Sequence, residues 1–215
     1  MEDSHEFIKS AEDLIDKRSD RDAVSSEKVE AEKQKILRVL ASKNSDEVRI
    51  EILERLLKER LPKDLQKFAL MQIASLHERK NWLSNAAKYY KMAAEISVTY
   101  REREDLFMKE VEMFIKAIMY NQADEAMKKA IEAVANPKNR DVIKERVIQL
   151  YLNEARMNEM NERRVNAIKT YEKVLSMIGE SRKDLRSQIM SKLVVLYERV
   201  GKVRDSIRLR DSLKR

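Results

Sequence analysis

Only two glycines, Gly179 and Gly201, and two prolines, Pro62 and Pro137, interrupt a chain of 215 residues. Average usage of about 7% Gly and about 5% Pro would supply roughly 25 together. Tight turns and left-handed backbone depend on these residues, so their scarcity excludes sandwiches, barrels and glycine-rich phosphate loops. The chain must be nearly all helix. Charged residues reach 39%, against about 25% in typical domains. The 43% hydrophobic residues still allow a sizeable core, and the excess charge calls for a large surface.

Apolar periodicity and breakers place helices near 4–17 and 26–42, then one from the Asn44-Ser45-Asp46 cap to Pro62. Eight more follow, near 63–80, 83–99, 104–120, 123–135, 139–160, 164–178, 182–200 and 203–214. In the second members of these pairs Ala86, Ala126, Ala167 and Ser206 stand 40, 41 and 39 residues apart. Further columns follow at offsets of one, four and seven, which trace one helical face. A small residue in the first column lets paired helices approach closely, and four units in register point to an internal repeat. The division expected is a segment 1–62 of N-terminal helices followed by a repeat domain 63–215.

The run Leu193-Val194-Val195-Leu196-Tyr197-Glu198-Arg199-Val200-Gly201-Lys202-Val203, with Ser206-Ile207 after it, resembles the tetratricopeptide repeat. Leu193, Tyr197, Gly201 and Val203 fall on that family's signature positions, and Ser206 stands for its usual Ala. Ile73 to His77, continuing through Leu83, Ala86, Tyr90 and Ala93, is the next best match. The period near 40 exceeds the usual 34, and Glu154 and Asn158 replace apolar residues in the third unit. The resemblance implies an all-α, right-handed α-α superhelix of about four hairpins plus N-terminal helices; another helical-hairpin solenoid or a plain bundle are the alternatives.

Catalytic chemistry finds little to work with. Without Cys there is no disulfide, thiolate nucleophile or Cys-ligated zinc. His77-Glu78 opens an H-E-x-x-H pattern that meets Asn81 in place of the second His. His77 shares a column with Tyr197 and is expected to be packed. Glu2-x-x-His5 lacks the partners of a di-iron site. No nucleophile elbow or Walker loop can be written. The expectation is a non-enzyme with no cofactor and no metal. The acidic start, the absence of a long apolar run and the missing Cys suggest a cytoplasmic protein.

The resemblance implies a concave face lined by the first helix of each pair, made for a protein or peptide partner. The family's groove positions fall on Met71, Ser75 and Glu78, then Met108, Glu112 and Ile115, then Asn153 and Arg156, then Lys192 and Arg199. The residues at its carboxylate-clamp positions, Met71, Ser75, Glu112, Gln149 and Asn153, do not form that clamp. Met108, Met113 and Met119 are the methionines expected at the surface, while Trp82 is expected to pack on a neighbouring loop. Charge is uneven: residues 1–32 hold 11 acids and 5 bases, residues 181–215 hold 4 acids and 11 bases. Arg204, Arg208 and Arg215 form a basic C-terminal edge, interrupted by Asp211 and without an aromatic for base stacking. Two functions follow: a scaffold for a protein or peptide partner, acidic in character, or an RNA-binding repeat using the basic C-terminal third. Self-association, with the acidic N-terminal segment docking its apolar stripe of Phe7, Ala11, Leu14 and Ile15 on the C-terminal hairpin of another chain, is a third expectation.

Overall fold

A computed structural model describes residues 27–179 and 182–213, and every regular element among them is a helix. The expected helix 4–17 and connector 18–26 lie outside the described residues. The helices are α1 (27–41), α2 (Asp46–Leu56), α3 (Lys63–Arg79), α4 (Leu83–Ile96), α5 (Tyr100–Lys116) and α6 (Tyr120–Glu132). After a 3-10 turn at Pro137–Asn139 come α7 (Arg140–Met160), α8 (Arg164–Met177), α9 (Lys183–Arg199) and α10 (Val203–Leu213). No helix among the described residues is long and apolar enough to cross a membrane.

The chain separates into two compact units, Met1–Leu76 and His77–Arg215, with the division inside α3. In the first, the Ser45 hydroxyl caps α2 by accepting the Glu47 N–H. Arg49 fixes the α1–α2 turn, its guanidinium donating to the Leu40 and Lys43 carbonyls and pairing with Asp46 at 3.0 Å. Leu40, Ile50 and Leu53 are buried behind it.

In the second unit successive helices pack as pairs, α5 with α6, α7 with α8 and α9 with α10. Each pair touches the next through α5 and α6 on α7, and α8 on α9. This is an all-α, repeat-like packing consistent with a helical solenoid. The repeat is sharpest in the turns. Asn81, Ile118, Glu162 and Gly201 all have positive φ, between 56° and 77°. The N–H after each donates five residues back: Trp82 to His77, Met119 to Phe114, Arg163 to Asn158, Lys202 to Tyr197, all within 2.8–2.9 Å. This is the left-handed helix stop that satisfies the last carbonyls of the first helix and redirects the chain into the second.

Five residues beyond each turn stand Ala86, Ala123, Ala167 and Ser206, all buried with almost no exposed surface. Ala86, Ala126 and Ala167 are buried as expected, yet the true counterpart in the second hairpin is Ala123. The cause lies upstream. Thr99 caps α5 by accepting the Glu102 N–H, so the helix begins at Tyr100 and the whole hairpin sits earlier than the periodicity suggested. Ala126 follows Ala123 by one turn on the same face, which is why the shifted register looked sound.

Candidate functional site

Along α7 the residues Arg146, Gln149, Asn153, Arg156, Met157 and Met160 are exposed at helical spacing, and Met160 reaches 76%. Along α9 the outward row is Gln188, Lys192, Val195 and Arg199. Burial of the apolar face of each first helix fixes these rows: Ile143, Val147, Tyr151 and Ala155 of α7, and Ile189, Leu193 and Leu196 of α9, point into the core. Ion pairs connect the two helices, with Lys192 on Glu159 at 2.7 Å and Arg182 on Glu145.

Glu159 is the centre of the arrangement. It is the residue three before the turn of its hairpin, and it accepts the hydroxyl of Tyr171 from α8 at 3.0 Å and the ammonium of Lys192 from α9. Burial works to raise its pKa, but these two hydrogen bonds and the charges of Lys192 and Arg199 more than offset it, so the carboxyl stays below its ordinary value. Burial and the Glu159 hydrogen bond push the Tyr171 phenol well up, opposed only by the charge of Arg156. Three cations, Arg156, Lys192 and Arg199, thus act on one tyrosine–carboxylate pair, and Lys192 also lies 5.7 Å from the Tyr171 ring centroid. Arg156 and Arg199 form no ion pair among the described residues. The neighbouring acids are already engaged, Glu154 by Asn158 and Glu198 by Ser206 and Arg210. Arg156 and Arg199 thus keep their guanidiniums free of ion pairs, with exposed Met157, Met160 and Val195 on the same two helices.

The same positions recur as a motif that sequence reading missed. Tyr90 donates to Glu78 at 3.2 Å as Tyr171 does to Glu159, and Arg210 takes the tyrosine's place on Glu198. In the second hairpin these positions hold Ile115 and Met127. Glu78 also binds Lys116, which bridges to Glu112 at 2.8 Å. A Glu and a Tyr separated by 12 residues across the helix stop were the available signal.

Among the expected groove residues, Met71 and Ser75 are exposed on α3 in the first unit. In the second, Asn153, Arg156, Lys192 and Arg199 are exposed, while Glu78 and Glu112 are half-buried in ion pairs. Met108 and Ile115 are corrected: both are buried, because the earlier start of α5 turns them into the core. Met113 is buried for the same reason, and Met119 is half-buried. His77 is packed, stacked on Tyr89 at 5.3 Å and tilted against Trp82 at 5.5 Å. Trp82 itself stays exposed, with the Lys80 ammonium 4.3 Å above its ring, instead of packing on a loop. Arg204 and Arg208 are exposed on α10, and Arg215 lies outside the described residues.

No family model matches the chain. No curated protein matches it either. Among solved structures, the crystal structure of BtubC (BKLC) from P. vanneervenii is similar at 19% identity, covering 76% of this chain and 68% of that one, with a TM-score of 0.34.

Proposed function

We propose that the protein is a non-enzymatic, tetratricopeptide-like scaffold that holds an acidic protein or peptide partner on the α7–α9 face. The observation that carries this reading is the gathering of Lys192 and Arg199 at Glu159 and of Arg156 at its partner Tyr171, with Met157, Met160 and Val195 exposed on the same helices. Two guanidiniums without a carboxylate lend themselves to fork-like hydrogen bonding of acidic side chains, and methionine adapts to varied apolar shapes. The left-handed stops and the buried small-residue column support the tetratricopeptide-like assignment. The lack of cysteine fits a cytoplasmic setting.

Affinity capture from the native source, quantified by mass spectrometry, tests it. A protein retained by the wild type and by Arg204→Glu/Arg208→Glu, but lost from Arg156→Glu/Arg199→Glu, is the expected result. Retention by both variants would sink the α7–α9 assignment. Co-purifying nucleic acid released by salt and by the Arg204/Arg208 variant would instead support an RNA-binding repeat using the C-terminal third.

A further inference from the structure

Along α10, Val203 and Ile207 lie one turn apart with 56% and 52% of their surface exposed. Six residues beyond its turn, Ile207 occupies the place that Ile168 holds on α8, where α8 packs on α9 and the side chain is 3% exposed. On α10 that place stays open among the described residues. One residue beyond each aliphatic stand Arg204 and Arg208, both exposed and in no ion pair among the described residues. Like charges spaced by four repel across a helical turn, a repulsion that an external acid would offset.

Acids of the same hairpin do not supply it. Asp205 is two residues from Ile207 and so lies on the other side of the helix. Asp211, one turn beyond Ile207, is already engaged. Glu198 is taken by Arg210 and Ser206. Across residues 181–215 eleven bases stand against four acids. The strip thus fits an apolar row flanked by carboxylates.

The chain itself carries such a segment. Residues 1–16 hold six acids and one base, and Phe7, Ala11, Leu14 and Ile15 recur among them at helical spacing. Glu12 and Asp16 follow Ala11 and Ile15 by one residue, as Arg204 and Arg208 follow Val203 and Ile207. When two right-handed helices with this pattern lie antiparallel, aliphatic row on aliphatic row, both charged rows fall on the same side of the contact. Carboxylates then meet guanidiniums. We propose that the acidic N-terminal segment of one chain docks on α10 of a second copy. Two chains that exchange these segments close a dimer in which both strips are covered. Exposed ion pairs are weak singly and screened by salt, so Phe7, Leu14 and Ile15 supply most of the affinity. The strip lies on a different helix from the α7–α9 face, and the inference does not rest on the scaffold reading.

Analytical ultracentrifugation of the full chain, at about 50 mM and about 500 mM salt, tests this. Wild type should self-associate in the micromolar range, while Phe7→Ser/Leu14→Ser and Ile207→Asp should each be monomeric. Each of these variants keeps the half of the contact that the other has lost, so an equimolar mixture should form a heterodimer. That complementation also shows that neither variant has lost its fold. Arg204→Glu/Arg208→Glu should weaken association about ten-fold at low salt and less at high salt. Adding Glu12→Arg/Asp16→Arg to the same chain should restore it. A wild type that stays monomeric at high micromolar concentration in low salt overturns the proposal, including the case in which an acidic partner of another kind occupies the strip. So does association that survives Phe7→Ser/Leu14→Ser or Ile207→Asp, a mixture of those two variants that stays monomeric, or a fourfold charge reversal no tighter than the twofold one.

Discussion

The hydroxyl of Tyr151 sits in the core of the second unit with no hydrogen-bond partner among the described residues, its ring edge-on to Tyr120 at 5.4 Å. An unsatisfied buried hydroxyl costs on the order of 1–3 kcal/mol, so Tyr151→Phe should raise stability by about 1 kcal/mol. Tyr171→Phe should do the opposite, because it deletes a hydrogen bond to the Glu159 carboxylate and lowers stability by about 1–2 kcal/mol. Urea denaturation of the pair checks both signs, and equal losses would mean that Tyr151 has a partner after all. Glu110 presents a related strain with a pH signature. Its side chain is 3% exposed, Lys129 holds one carboxylate oxygen at 3.0 Å, and the other oxygen has no partner. Burial raises its pKa, opposed by the Lys129 hydrogen bond and charge. A folded-state pKa above the unfolded value means that the native state binds the proton more tightly. Stability from this group is then present at low pH and falls as pH rises from the ordinary carboxylate range through the raised value. Glu110→Gln should abolish that decline, so its stability relative to wild type should improve between acid and neutral pH. A gap that stays constant with pH would show that Glu110 titrates normally.

At the scale of the helical hairpin, four turns share one backbone shape but not one residue type. Gly201 carries it without a Cβ, and its surroundings leave space for one, so Gly201→Ala isolates the backbone cost of about 1 kcal/mol. Glu162 is exposed and adopts the same region with φ 56°. Glu162→Gly should therefore stabilise by about 0.5–1 kcal/mol, read as a rise in Tm. A fall on Glu162→Gly would show that the side chain, through its 3.7 Å contact with Arg164, contributes more than the strain removes. The same turns explain what could be read in advance. Gly201 announces a helix stop, and Asn81 is a residue type that tolerates left-handed backbone. Ile118 is β-branched and nothing marks it as a stop, so apolar periodicity alone sets the second hairpin late, places Ala126 in the column of Ala123, and turns Met108 and Ile115 outward. All-helical character and pairing were legible because they rest on composition and summed periodicity; register was not, because a one-turn slip leaves an amphipathic face nearly unchanged.

Over the second unit as a whole, hairpins are joined by a few specific ties on a background of side-chain packing. Tyr120 meets the Thr170 hydroxyl at 2.7 Å and Lys173 pairs with Asp124 at 2.6 Å, linking α6 to α8. Lys192 and Arg182 link α9 to α7. None of these ties could be found from sequence, since each pairs residues 33–50 positions apart. Arg156, Lys192 and Arg199 were nameable as outward residues, but their meeting at the Glu159–Tyr171 pair depends on how α7, α8 and α9 stack. Where repeats touch only their neighbours, stability is a sum of local terms and damage stays local. The buried Ser206 lies in the α9–α10 hairpin, and Ile207 beside it is 52% exposed although its counterpart Ile168 is buried. Ser206→Leu should overpack the α9–α10 crossing and cost about 1–3 kcal/mol. Native-state hydrogen exchange should then quicken across residues 183–213 while α5 and α6 keep their protection. Ala123→Leu, in the second hairpin, should instead loosen α5 and α6 and reach α7 through their shared packing. Uniform acceleration from 100 to 213 in the Ser206 variant would identify a single cooperative core and rule out a stack of semi-independent hairpins.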